Sequence, residues 1–224
     1  MGFRLAVHRH GHSPNDSADV VAQLRAIAAA HLPSEPIVRV PASEGWLVKR
    51  ALDAGARTLM FPNVQSAEDA VRVVRLTQYP TEAALHGLRG VAGAVRAAAY
   101  GMRRDYLSTA NAQIMTIVQI ESVAALEAVD EIAALPGIDC LFIGPADLAA
   151  SLGHLGDGKN PDVQAAITKI VDAANRAGIA SGIFALDAAN ARQYAQAGIK
   201  LVAIGADVMW LLKATRQALQ EARP

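Results

Sequence analysis

The 224-residue sequence predicts a single-domain α/β fold of the (β/α) barrel type. Three observations carry that expectation. Short apolar runs rich in β-formers alternate with longer Ala-rich segments of helical periodicity. The short runs are apolar at consecutive positions rather than alternate ones, as parallel strands covered on both faces must be. Gly55, Gly137, Gly178 and Gly198 stand where helical segments turn back into strands, and a glycine just past a helix end takes the left-handed conformation at little cost.

Taken in order, the strands are expected at residues 3–8, 36–40, 57–62, 113–121, 139–144, 179–185 and 200–205. Helical patterns lie between them at 17–31, 44–54, 66–77, 123–135, 162–177, 188–197 and 208–222. No Pro/Ser-rich linker or charge block divides the chain, so residues 1–224 read as one domain. Alternating β and α units close into a barrel or spread as an open doubly wound sheet. No GxGxxG follows the first strand, which argues against a dinucleotide-binding sheet. A full barrel has eight strands, one more than these runs supply. Residues 79–111 form a long excursion with one amphipathic helix near 103–111, which reads as a loop on the active-site side.

Composition narrows the classes of function. Twenty-one basic and 21 acidic residues cancel to a net charge of +0, unlike the basic excess of a nucleic-acid footprint. Cys140 is the sole cysteine, so no internal disulfide forms. The N-terminal stretch lacks the apolar run of a signal peptide, and no apolar stretch is long enough to span a bilayer. The expected setting is the cytoplasm, with no nucleic-acid or membrane partner.

In parallel α/β folds, ligands collect at the C-terminal ends of the strands. There the sequence places Arg39, then Asn63 and Gln65, then Val118-Gln119-Ile120-Glu121, then Gly144-Pro145-Ala146-Asp147; His8, His10 and His12 follow the first strand. Glu121 and Asp147, after adjacent strands, suit a hard cation such as Mg²⁺ or Mn²⁺, which prefers oxygen ligands. Such an ion binds a 2-oxo acid and favours its enolate. The plainer alternative is that each acid serves the helix that follows it. The turn at Gly144, Pro145 and Ala146 opens a helix whose N–H groups suit a carboxylate, or is an ordinary β–α turn. Arg39 needs an anionic partner if buried, either a ligand or a structural carboxylate. His12 is the best-placed acid or base, and Cys140 reads as a core residue.

Five segments in one order carry a resemblance: Gly11-His12-Ser13-Pro14-Asn15-Asp16, Val38-Arg39-Val40-Pro41, Phe61-Pro62-Asn63-Val64-Gln65-Ser66-Ala67-Glu68-Asp69-Ala70, Val118-Gln119-Ile120-Glu121 and Leu141-Phe142-Ile143-Gly144-Pro145-Ala146-Asp147-Leu148. Over essentially its whole length the chain resembles the HpcH/HpaI aldolases, the class II pyruvate aldolases, among them hydroxy-oxo-heptanedioate and 2-keto-3-deoxy-sugar-acid aldolases. The resemblance implies a (β/α)8 TIM-type barrel and a homo-oligomer, a hexamer in the family, with the C-terminal helix in its contacts. It implies a metal-dependent lyase that cleaves 4-hydroxy-2-oxo acids to pyruvate and an aldehyde through a metal-stabilised enolate. By matched motif, Glu121 and Asp147 hold a divalent ion, Mg²⁺ or Mn²⁺ first, with Co²⁺ and others as alternatives. Arg39 binds the pyruvate oxygen, Gln119 lies beside it, and the backbone of Gly144, Pro145 and Ala146 receives the carboxylate. His12 transfers a proton and is oriented by Asp53.

Three departures qualify this. The family carries a further strand and helix ahead of the point where this sequence starts, so the barrel is expected without its first β/α unit, or with another element closing it. Arg9-His10-Gly11-His12 replaces an acidic run. The Tyr79-Pro80 to Gly87-Leu88-Arg89-Gly90 stretch carries an insert; this loop is expected to shape the acceptor site, with Arg89 on an anionic acceptor or in a structural ion pair. Competing functions are a carbon–carbon lyase acting on CoA thioesters and a non-catalytic relative that binds metal or oxo acid.

Overall fold

The computed structural model describes the backbone of residues 5–9 and residues 15–31, 33–82, 84, 86–185 and 187–223. Seven strands form one sheet: β1 (Leu5–Arg9), β2 (Glu35–Arg39), β3 (Thr58–Phe61), β4 (Met115–Ile120), β5 (Cys140–Ile143), β6 (Ala180–Phe184) and β7 (Leu201–Ala203). Every neighbouring pair is parallel, and the strands lie in chain order. A doubly wound sheet reverses strand order at a switch point; this one never does. The chain winds in a single sense, which is the topology of a TIM-type barrel. Among the described residues the barrel is partial, with β1 and β7 at the edges of the sheet.

The connecting helices are α1 (Ser17–Ala29), α2 (Gly45–Asp53), α3 (Ala67–Thr77), α4 (Tyr106–Thr109), α5 (Val123–Glu127), α6 (Val129–Ala133), α7 (Pro145–Ser151), α8 (Pro161–Ala177), α9 (Ala188–Gln196) and α10 (Asp207–Glu221). Local chemistry sets their starts. Asp16 accepts from the N–H groups of Ala18 and Asp19, while the Asp19 side chain accepts from Asp16, a closed capping box. Ser66, Ser122 and Asp187 cap α3, α5 and α9, each accepting from the N–H three residues on. Gly178 ends α8 in the left-handed conformation, φ 72°. The single helix expected over 123–135 is broken at Ala128, and that expected near 103–111 is reduced to the one turn of α4.

Side chains alternate between two apolar layers, as successive Cβ atoms of a strand must. Outward, Val38, Leu59, Phe61, Val118, Ile120, Leu141, Ile143 and Ile183 pack against the helices. Inward, Ile37, Met60, Ile117, Cys140 and Phe142 plug the barrel, flanked by Phe184 and Leu201. Cys140 is thus a core thiol, and burial pushes its pKa up to about 12. No helix among the described residues is long and apolar enough to cross a membrane.

The excursion after α3 lies at the N-terminal end of the strands, contrary to the sequence expectation of an active-site loop. The reason is its place in the chain: it joins the end of a helix to the start of a strand. It is docked there by Asn111, whose side chain exchanges two hydrogen bonds with the Tyr79 backbone, at 2.8 and 2.9 Å. Arg96 donates to the carbonyl of Ala54 at the end of α2, 2.7 Å away. Arg89 is buried in this layer and therefore meets no acceptor at the opposite mouth.

Candidate active site

The C-terminal strand ends converge on a short polar line. Arg39 is the last residue of β2 and points inward, since Val38 and Val40 belong to the outer core. Gln119 on β4 shares the inward face with Ile117 below it, and the same parity brings Glu121 inward just past the strand. The Arg39 guanidinium donates to Gln119 Oε1 at 3.3 Å. Gln119 Nε2 in turn donates to Glu121 Oε2 at 2.9 Å. The guanidinium has no acceptor to offer, so it fixes which way the amide faces and leaves the amide's donors for the carboxylate. The N–H of Asn63 donates to the other carboxylate oxygen at 2.8 Å. Arg39 and Gln119 are buried, at 9% and 4% exposure, which strengthens these charge-assisted bonds relative to water.

Gly144, the residue after β5, faces the same carboxylate. A Cβ on it would lie 2.7 Å from Glu121 Oε2. Hydrogen in place of a side chain therefore keeps open the space beside that oxygen. Three residues on, Asp147 sits exposed in the first turn of α7. Of the three expected backbone donors, only the Ala146 N–H is open to a ligand. The Gly144 N–H is directed at the Ile120 carbonyl, at 3.4 Å, and Pro145 has none. That leaves the N–H groups of Ala146 and Asp147, which no side chain caps, as first-turn donors of the helix.

Asp53 is elsewhere. It ends α2, and α2 runs back along the barrel for nine residues, about 13 Å at 1.5 Å per residue. Within the chain, its carboxylate takes Arg89 at 3.3 Å instead. His12 lies outside the described residues, as do Gly11 and Ser13, and so does the expected pairing of His12 with Asp53.

The donor set fits a hard divalent cation. Glu121 and Asp147 offer carboxylate oxygens at neighbouring strand ends, and Gly144 leaves room beside one of them. The Glu121 carboxylate is aimed by two donors, the outer-layer support that metal ligands characteristically receive. Among the described residues no three His, Cys, Asp or Glu side chains gather into a cage. Two carboxylates completed by water and substrate oxygens is the coordination style of Mg²⁺ and its relatives.

Asn63 is the residue that sequence reasoning noticed only as following a strand. Its role at Glu121 comes from its backbone, at φ 54°, and a backbone donor leaves little trace in residue identity. Pro62 before it, with Asn tolerant of the left-handed region, was the available sign of a tight turn.

A sequentially wound parallel barrel with carboxylates at its C-terminal rim defines a class, and the chain belongs to one such family: residues 6–214 match HpcH/HpaI aldolase/citrate lyase. Within it, the chain is 73% identical over 212 residues to a hydroxypyruvate/pyruvate aldolase of Paraburkholderia phytofirmans, a match covering 95% of this chain and 82% of that protein. It is 42% identical over 216 residues to a 5-keto-4-deoxy-D-glucarate aldolase of Shigella boydii serotype 18, covering 96% and 82%. Among solved structures, an HpcH/HpaI aldolase/citrate lyase family protein from Burkholderia cenocepacia J2315 superimposes with a TM-score of 0.97 at 63% identity, covering 100% of this chain and 87% of that one.

Proposed function

We propose that the chain is a divalent-metal-dependent aldolase, a lyase that cleaves 4-hydroxy-2-oxo acids to pyruvate and an aldehyde and runs the reverse addition. The observation that supports it best is the line Arg39–Gln119–Glu121, which joins a buried guanidinium to a carboxylate at the C-terminal end of β4; Asp147 follows the adjacent strand in the first turn of α7. Family membership supports the reaction class, and the relative named hydroxypyruvate/pyruvate aldolase supports hydroxypyruvate beside pyruvate as the donor.

In this reading Glu121 and Asp147 hold the cation, Mg²⁺ or Mn²⁺, which when bound supplies a Lewis acid for the keto oxygen. Arg39 faces the same oxygen and places positive charge where negative charge develops. The N–H groups of Ala146 and Asp147 receive the substrate carboxylate, and Gln119 keeps Arg39 and Glu121 in register. Cleavage begins with loss of the C4 hydroxyl proton to a base, a role we give to His12. The C3–C4 bond breaks, the aldehyde leaves, and the bonding pair moves into the enolate whose oxygen faces Arg39. Protonation at C3 yields pyruvate. The inner apolar plug under the site keeps water from entering through the barrel. We place the enzyme in the cytoplasm as a homo-oligomer, with α10 as a subunit contact.

The test is exchange of pyruvate methyl protons into D₂O, followed by NMR, which needs no knowledge of the acceptor. Exchange is expected to stop with a chelator and return with Mn²⁺. Glu121→Gln and Asp147→Asn should each slow it by orders of magnitude, and Arg39→Ala should slow it with metal affinity retained. Full exchange after exhaustive metal removal would overturn the reading.

A further inference from the structure

We infer that Asn63 is a positioning residue for Glu121, holding the carboxylate through a left-handed backbone that only a few residue types adopt. This rests on the reading of Glu121 as a cation ligand. The chain leaving β3 is pinned on both sides of the turn, by Phe61 at 0% and Val64 at 1% exposure. Between these anchors Asn63 takes φ 54°. With both anchors fixed in the core, a negative φ would swing the 62–63 peptide plane and carry the N–H off Glu121 Oε1, to which it donates at 2.8 Å. Non-glycine residues pay for the left-handed region, and Asn pays least because its short polar side chain bonds locally.

That local bonding is present. Asn63 Oδ1 accepts from Gln65 Nε2 at 2.7 Å. The Gln65 N–H donates to Asp69 Oδ2 at 3.0 Å, and the Asp69 N–H donates to Ser66 Oγ at 3.1 Å. The turn is thereby tied to the capped first turn of α3, so a helix start on one β/α unit sets the aim of a carboxylate on the next strand. Gln119 holds Oε2 from the opposite side. A carboxylate offers about four acceptor sites, more than these two donors occupy. Strain kept at a site of this kind is a recurring device of preorganisation.

The experiment is a titration of the full chain with Mn²⁺ alone, free ion being read by electron paramagnetic resonance without substrate. Wild type is compared with E121Q, N63G and N63V, each checked for a native melting transition. N63G is expected to stay within about threefold of wild type, since glycine takes positive φ freely. N63V should bind Mn²⁺ about tenfold more weakly or worse, the usual cost of losing a ligand's support, and recover kcat at saturating Mn²⁺. If N63V does not fold, N63A replaces it, with weaker binding than N63G expected. Equal affinity of the valine variant (or the alanine variant) and N63G overturns the inference, as does an N63G loss as large as that of N63V. Normal Mn²⁺ binding by E121Q would instead remove the metal reading itself, whereas weak binding by E121Q with normal binding by N63V removes this inference alone.

Discussion

Gly144 stands directly against Glu121: a Cβ on the glycine would lie 2.7 Å from the glutamate's Oε2 and 3.0 Å from its Cβ. The contact has nothing to do with backbone freedom, because Gly144 has φ −96° and ψ 86°, which any residue accepts. Gly144→Ala therefore isolates one effect, displacement of the carboxylate. Pyruvate methyl exchange and Mn²⁺ affinity are expected to fall about 10- to 100-fold, while a urea titration shows a loss of no more than about 1–3 kcal/mol. Unchanged exchange would mean that Glu121 does not need the space.

Arg89 is the opposite kind of residue, a charge enclosed for stability. Its side chain is fully buried, ion-paired with Asp53 at 3.3 Å, donating to Tyr106 Oη at 2.8 Å and lying 4.1 Å from the Tyr79 ring centroid. Arg89→Met is expected to destabilise the fold by roughly 3 kcal/mol, because it leaves the mostly buried Asp53 carboxylate uncompensated. Adding Asp53→Asn should recover part of that loss. Arg89→Lys should not, since a point charge cannot replace the planar fork over the ring. Urea midpoints of the three variants decide it.

Burial raises the Cys140 thiol from its ordinary 9.0 to about 12. The sign follows from which state binds the proton. Above about pH 9 the unfolded chain releases the thiol proton while the folded chain keeps it, so stability present at pH 8 declines as pH rises toward 12. At pH 10 the loss from this group is about 1 kcal/mol. Burial raises Tyr79 as well, in the same direction, so Cys140→Ala should reduce the slope between pH 8 and 10 without abolishing it. The native thiol should also resist alkylation at neutral pH.

None of the residues of α10 is buried, and Trp210, Leu211 and Leu212 are each more than half exposed. A run of that kind marks a contact surface. Light scattering is expected to give a mass above the 23.5 kDa of one chain, and Leu211→Glu should lower it. A stable monomer in the unaltered chain would remove the interface.

All seven strands lie within a few residues of where apolar runs placed them, because consecutive burial on both faces is written in residue type. The catalytic candidates were legible for the same reason: Arg39, Gln119 and Glu121 are polar residues at the ends of such runs. What stayed hidden depends on direction or on backbone. The loop carrying Arg89 lies at the rim opposite the one the sequence suggests, since composition does not say which rim a connection occupies. The pairing of Asp53 with His12 is an implication of the family motif, and His12 lies outside the described residues; within the chain Asp53 pairs with Arg89. At the start of α7 the Gly144 N–H is turned to Ile120 and Pro145 has none, which leaves Ala146 and its neighbour as donors, and the role of Asn63 lies in a peptide plane.

The inward–outward alternation of the strands has a consequence for folding fidelity. Arg39 and Gln119 occupy alternate positions whose neighbours, Val38, Val40, Val118 and Ile120, all serve the layer under the helices. A slip of one residue in pairing would drive a guanidinium into that layer and lift valine into the mouth. The hydrophobic cost of misalignment thus falls on the very molecules that would lack the site. A chain in shifted register is also an unstable one, and correct pairing is proofread by the same residues to which we assign the substrate site.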